Sequence, residues 1–531
     1  MPMPWNHDQA VERIGGLIRS CPQITMEALT DVYPRLVEAR RSSGQSNPLA
    51  REALISIPRN RAIVVDAVHV YARLSNYDDY RLENGVETED SHKRALNFLH
   101  LHYAAVDRLV QDMGAQRVDF HGGRLHCVVV DPVNNERARV LKALALAFRL
   151  IEFTRRASSD IAGGNYTPTL KVGVDTGKCV AINSGTGCEQ EPLFLGAPAN
   201  YAAKLAAGDG QGVFPSNRVR TLFALATFPG LSEERAYPVT RMIFDQLRVQ
   251  GQISGFDLSE GFADEGGQYE RLVEGWRADL RTQRAATGGK SAFVFHAHTP
   301  PLNSIDYASL SPGNSIRMPV ASIFADLGGY TAYIDRCLAA GRPEAAVRAL
   351  HVLRGEFHNV LKRDFQSRKV RYIGDCMHGI LAFGAPSNVD LARTTVEALK
   401  CAGGLYSSFE LVQRMLGGID DLGLAIGVEV GTTPISRIGI RGDRGVRVAS
   451  STATIQSQIE QERIVGSGLA LGPEAFGHLS FSARRHFPER RQDSFDYDSL
   501  AYILAAGAAI TSVPAEARAE TADEFRPHLT R

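Results

Sequence analysis

The chain has 531 residues, 44% hydrophobic and 22% charged, with 59 Lys+Arg balancing 59 Asp+Glu for a formal net charge of zero. That length exceeds one ordinary core and predicts two or three domains, while the balanced charge carries no footprint for a nucleic-acid partner. No basic-then-apolar leader and no run of about eighteen apolar residues is present, so the expectation is a cytoplasmic protein without a membrane partner.

Residues 1–55 read as a helical segment of unassigned purpose. A strand then follows in RAIVVDAVHVYARL (Arg61 to Leu74), with Asp66 inside it. Next come a long helical pattern from His92, a hairpin in DFHGGRLHCVVV (Asp119 to Val130), and a strand in LKVGVDTGKCVAI (Leu170 to Ile182). The helix NYAAKLAA follows GAPA, and SAFVFHAH is expected to close this unit as its last strand. Seven cysteines, Cys21, Cys127, Cys179, Cys188, Cys337, Cys376 and Cys401, form no CxxC pair, which argues for reduced thiols and against a structural zinc site.

After a Pro/Ser/Gly-rich stretch at 301–315 the same order returns. VASIFADLGGYTAYI echoes the first strand, RYIGDCMHGILA echoes the hairpin, and LAIGVEVGTTPIS with the helix TIQSQIEQ echoes the later strand and helix. Asp66 and Asp326 are 260 residues apart, Gly123 and Asp375 252, and Asn200 and Thr454 254. The repeat predicts two copies of one α/β domain, with units at 56–300 and 316–510, a linker at 301–315 and a loosely ordered tail at 511–531. Taken alone, Gly374-Asp375 is ordinary turn chemistry.

FADLGGYT, the Gly-Asp hairpin about fifty residues later, IGVEVG, and an Asn-x-x-x-basic helix together resemble the class III nucleotidyl cyclases. The resemblance implies two ferredoxin-like cyclase homology domains forming a pseudo-heterodimer within one chain, with no higher assembly required. It also implies a site at their interface. One wall would carry two Asp that bind two divalent ions, Mg²⁺ or Mn²⁺; the other would carry base-reading residues, an Asn and a cation. Cyclisation needs a ribose 3′-hydroxyl to attack the α-phosphorus in line, and carboxylate-held divalent ions with an aimed amide and cation suit that chemistry.

The two copies match the pattern unequally. The second keeps Asp326 and Asp375, the implied metal ligands, whereas the first has Asp66 but Gly123 at the hairpin tip. The first keeps Gly196, Asn200 and Lys204, whereas the second has Thr454 and Gln458 where Asn and the basic residue are expected. The losses are complementary, so one composite site is expected, with catalytic Asn200 and Lys204 facing Asp326 and Asp375. The implied substrate-binding residues are Asp119, Leu193, Lys290 before the strand SAFVFHAH, and Leu327 beside Asp326. Arg371 would belong to the vacant second site.

An ionised Asp119 only accepts hydrogen bonds, so it suits uracil N3–H or guanine N1–H better than adenine N1. With Leu193 as the second reader, the pattern resembles the pyrimidine cyclases of bacterial Pycsar anti-phage systems. The expected reaction is cyclisation of a nucleoside triphosphate, UTP first, to a 3′,5′-cyclic nucleotide and pyrophosphate for a downstream effector protein. Guanylate, cytidylate and adenylate cyclases, and a non-catalytic nucleotide-binding pseudocyclase, stand as alternatives.

Overall fold

The computed structural model describes residues 5–161, 166–184, 191–228, 237–253, 267–287, 291–440 and 442–510. Lys290 and the tail 511–531 lie outside the described residues. The chain opens with helix α1 (His7–Ser20), strand β1 (Thr25–Ala28) and helix α2 (Leu29–Ser42). The first repeat runs β2 (Arg61–Leu74), α3 (Tyr77–Arg81), α4 (Glu89–Asp112), β3 (Gln116–His121), β4 (Arg124–Val129), α5 (Glu136–Ile161) and β5 (Leu170–Ser184). It continues with β6 (Glu191–Leu195), α6 (Ala197–Ala206), β7 (Gly212–Pro215), α7 (Asn217–Leu222), α8 (Arg241–Ile253) and α9 (Gln268–Thr287).

The remaining elements begin with β8 (Phe295–His296), β9 (Ser315–Gly328), α10 (Tyr330–Ala339), α11 (Pro343–Asn359), β10 (Arg368–Ile373) and β11 (Cys376–Leu381). A small hairpin of β12 (Gly384–Ala385) and β13 (Asn388–Val389) precedes α12 (Leu391–Leu416), β14 (Gly423–Ile438), β15 (Val446–Ala449) and α13 (Thr452–Glu462). The last are β16 (Gly468–Leu471), α14 (Pro473–Gly477), α15 (Phe481–Arg484), β17 (Arg491–Gln492) and α16 (Tyr497–Ile510). In each half a β-α-β-β-α-β unit lays its strands in the order β3-β4-β2-β5 or β10-β11-β9-β14. This is the ferredoxin-like arrangement, twice, with the apolar faces of α4 and α5 or of α11 and α12 buried on the sheet.

The stretch SAFVFHAH departs from expectation. Its strand, β8, pairs in parallel with β9, Phe295 opposite Ser315 and His296 opposite Ile316, and so joins the second sheet. Backbone bonds from Ser315 N–H to Val294 O and from Val294 N–H to Pro312 O fold the connection back onto β9.

Strand register corrects two equivalences expected from the sequence. Tyr71 lies opposite His126 and Gly173, as Phe324 lies opposite His378 and Gly427. Each aromatic ring stacks on its histidine, at 4.1 and 4.3 Å. Two residues on, Arg73 therefore stands where Asp326 stands, 253 residues earlier, while Asp66 lies in the first half of β2. Likewise, Gly173 abuts Ala202 and Ala206 of α6, and Gly427 abuts Ser457 and Gln461 of α13, each at a point where a Cβ would strike helix backbone. Gly196 and Ser451 are the matching N-caps. By this register Asn200 matches Ile455 and Lys204 matches Ile459, one residue beyond Thr454 and Gln458. Thr454 is instead consumed in a capping box with Ser451.

The amino-terminal segment touches both halves. β1 adds to the first sheet as a parallel partner of β2, while Ala10 and Ile14 of α1 are buried in the second half's core. Arg13 bridges two buried carboxylates there, donating to Glu356 at 2.7 Å and Asp364 at 2.9 Å. Trp5 donates its indole N–H to Ser408 at 2.9 Å. The two cores also interleave: Leu193 and Leu195 of β6 belong to the second half's buried cluster, and Val446 and Val448 of β15 belong to the first half's.

Candidate active site

A cavity of about 990 Å³ opens between the two halves. Its wall from the first half includes Asp119 on β3, Leu193 on β6, and Asn200 and Lys204 on successive turns of α6. The opposite wall includes Asp326 and Leu327 at the end of β9 and Asp375 in the β10–β11 turn. Seven of the eight residues expected at the site thus line one cavity, and the eighth, Lys290, lies outside the described residues. Leu193 and Leu327 are buried, at 6% and 3% exposure, whereas Asn200 and Lys204 sit on the exposed face of α6.

The hairpin geometry has a local cause. Gly374 adopts φ +62°, the left-handed region that glycine supplies without cost. Arg354, which also lines the cavity, donates to Gly374 O and lies with its guanidinium 4.1 Å from the Tyr372 ring centroid. Tyr372 returns a hydrogen bond from its hydroxyl to Arg354 O at 2.7 Å. The turn that presents Asp375 is therefore braced from α11.

The carboxylates repel one another. Burial raises the Asp326 pKa well above the ordinary carboxylate range, and the charges of Asp375 and Glu462 raise it further. Burial likewise pushes Asp375 up to about 6, opposed by its own backbone N–H and by Arg354. Two oxygen donors crowded in this way favour a bound cation. Among the described residues no group of three His, Cys, Asp or Glu is placed to hold a metal.

Contacts across the interface fix α6 against the wall that carries Asp326 and Asp375. Asn200 donates its amide to the Thr331 hydroxyl, and Ala197 N–H at the start of α6 donates to Asp335 at 3.2 Å. Thr331, Asp335, Arg354 and Glu462 were not singled out from the sequence. The first two lie within a turn and a half of FADLGG, which was the available signal.

Arg371 requires a correction. It lines the large cavity as well as the small one, and its guanidinium forms an ion pair with Asp119 and donates to Phe120 O. Asp119 and Arg371 are matching positions in the two hairpins, 252 residues apart, and they meet each other at the interface. Burial lowers the Arg371 pKa to about 9, with the charges of Arg447 and Arg117 adding to the effect and Tyr103 opposing it.

The symmetry-related position is closed. There the cavity is only about 90 Å³, lined by Arg73, Gly123, Arg124, Arg371, Ile455 and Gln458 among others. Arg73 occupies the position that matches Asp326, and Ile455 and Ile459 stand at those matching Asn200 and Lys204. Gln458 bridges the halves, its Oε1 3.0 Å from His121 Nε2 and its amide donating to Glu462 at 2.7 Å. His126 Nε2 lies 3.0 Å from His69 Nδ1.

Paired ferredoxin-like sheets with two acidic residues on one wall and Asn and Lys on the other define a class III nucleotidyl cyclase architecture. A solved structure described as a class III adenylyl cyclase-like ATP-binding protein from Pseudomonas aeruginosa superposes with a TM-score of 0.81 at 33% identity, covering 95% of this chain and 100% of that one. No family model matches the sequence. Two curated relatives are both named uridylate cyclase. One, from a Rhizobium species, is 42% identical over 507 residues, covering 91% of this chain and 92% of the relative. The other, from Pseudomonas aeruginosa, is 34% identical over 517 residues, covering 95% and 92%. The chain belongs to this uridylate cyclase family.

Proposed function

We propose that the protein converts UTP to 3′,5′-cyclic UMP and pyrophosphate at a single composite site, and that the product serves as the signal of an anti-phage defence system read by a separate effector protein. The observation that carries the single-site reading is the asymmetry of the two cavities. About 990 Å³ surrounds Asp326, Asp375, Asn200 and Lys204, against about 90 Å³ at the position holding Arg73 and Gly123.

In this reading Asp326 and Asp375 would hold two divalent ions, Mg²⁺ or Mn²⁺. The mutually repelling, oxygen-only donor pair fits such hard cations. Bound there, the ions would supply charge neutralisation at the phosphates and a lowered pKa at the ribose 3′-hydroxyl. Asn200, anchored by Thr331, orients the ribose, and Lys204 one turn on carries positive charge toward the phosphates. Leu193 supplies an apolar face for the base, and Asp119 accepts from uracil N3–H. Lys290, from its position in the sequence, would add a second phosphate cation.

The test is incubation of the full chain with ATP, GTP, CTP and UTP separately in Mn²⁺, following pyrophosphate and cyclic product. UTP should give the highest kcat/KM. Absence of turnover with all four would overturn the enzyme reading, and preference for ATP would overturn the base assignment.

A further inference from the structure

Asp119 does not face the cavity as an isolated acceptor. Arg371, only 7% exposed, reaches across from β10 in the metal-bearing half and pairs with its carboxylate. The same guanidinium donates to Phe120 O, and its Nε–H is buried without a partner among the described residues. Both residues line the large cavity beside Leu193. A buried guanidinium has a planar fork of donors, and this one is held by two acceptors of β3, the Asp119 carboxylate and Phe120 O.

The edge of uracil presents N3–H between two carbonyl oxygens. A lone carboxylate accepting from N3–H would sit beside those oxygens and repel them. A guanidinium next to it offers N–H donors to the adjoining carbonyl and turns the repulsion into a second hydrogen bond. Cytosine offers a donor at N4 and an acceptor at N3, so a pair set to accept from uracil N3–H and donate to uracil O4 meets it in the reverse order.

We propose that Arg371 is a specificity-determining residue of the base pocket: it holds the Asp119 carboxylate toward uracil N3–H and donates to the neighbouring carbonyl. This rests on the UTP reading above. It also makes base choice a joint property of the two halves, since each half supplies one member of the pair from the same hairpin position.

The experiment measures kcat/KM for UTP, CTP and GTP on the full chain and on Arg371→Ala, Arg371→Lys and Asp119→Asn, with Mn²⁺. A parallel readout, thermal protection of each variant by UTP against CTP, does not depend on turnover. Arg371→Ala should lower the UTP:CTP preference by about tenfold or more, the scale expected when a charged hydrogen-bond partner is lost. Arg371→Lys keeps the charge without the fork and should fall between; it serves as the deciding variant if Arg371→Ala does not fold. An unchanged UTP:CTP ratio in both readouts would overturn this inference while leaving the UTP reading standing. Preference of the unaltered chain for another base would overturn the UTP reading instead.

Discussion

Arg73 occupies in the first sheet the position that Asp326 occupies in the second: each lies two residues beyond an aromatic stacked on a histidine, and each strand pairs alike with its neighbours. Arginine stands where Asp326 would be, and Gly123 stands where Asp375 would be. The small cavity thus lacks both carboxylates that the proposed function assigns to metal binding, and its activation would require more than one exchange.

The first prediction follows from that asymmetry. Asp375→Ala, or Asp326→Ala, should lower kcat by about 10³-fold or more, with pyrophosphate release in Mn²⁺ as the measurement. The double exchange Arg73→Asp with Gly123→Asp should add no second turnover per chain, because Ile455 and Ile459 still stand at the amide and cation positions. A doubled product yield would contradict the register that aligns Asn200 with Ile455 and Lys204 with Ile459.

On the opposite wall, Asn200→Ala should lower kcat by about 10²-fold with a smaller change in KM, since an amide aimed at the ribose acts mainly as the transition state forms. Lys204→Ala should cost a similar factor. Thr331→Val, which removes the hydroxyl that anchors Asn200, should lower kcat less than Asn200→Ala does. Steady-state kinetics with UTP would order the three.

A stability prediction concerns Arg13, whose two partners Glu356 and Asp364 have side chains 0% and 4% exposed. Arg13→Met should destabilise the fold by about 3 kcal/mol at pH 8, because two carboxylates are then buried without their cation. Burial already pushes Asp364 up to about 6, against Arg13, and loss of Arg13 raises it further. The folded variant therefore takes up this proton at a higher pH than the unaltered fold does at about 6, while both unfolded chains take it up only nearer pH 4, so the variant gains more folding stability as pH falls. The gap between the two proteins is therefore widest at pH 8 and narrows toward pH 5. Urea unfolding at the two pH values measures it.

Gly173→Ala places a methyl group against the backbone of α6 at Ala202 and Ala206. It should destabilise by about 2 kcal/mol and lower activity beyond what the lost stability explains, since α6 carries Asn200 and Lys204. Gly427→Ala strains α13 in the same way, away from those residues, and should cost stability with the smaller effect on kcat.

Much of this was legible in the sequence because the chain repeats. Two echoes of strand, hairpin and helix disclosed the fold, and the gaps at Gly123, Thr454 and Gln458 disclosed which half had kept what. Asp66 misled because β2 is fourteen residues long, and an isolated Asp in an apolar strand attracts the match. The spacing of 260 residues, set beside 252 and 254, was the sign of the slip. Thr454 misled by one residue, since the helix start is set by the Ser451 cap and by the glycine beneath the helix, both tertiary features. The Asp119–Arg371 pair was out of reach because it depends on how two hairpins face one another.

The amino-terminal segment, with β1 in one sheet and α1 on the other half, has a further consequence. The two walls of the cavity are joined by the connecting chain and also by this clasp, so each wall sees its partner at a fixed, high effective concentration. Specific activity should accordingly hold constant on dilution. If the proposed composite site works within one chain, control would act on the closure of an already assembled pair of walls or on the supply of nucleotide, and activity that falls on dilution would show that a second chain is needed.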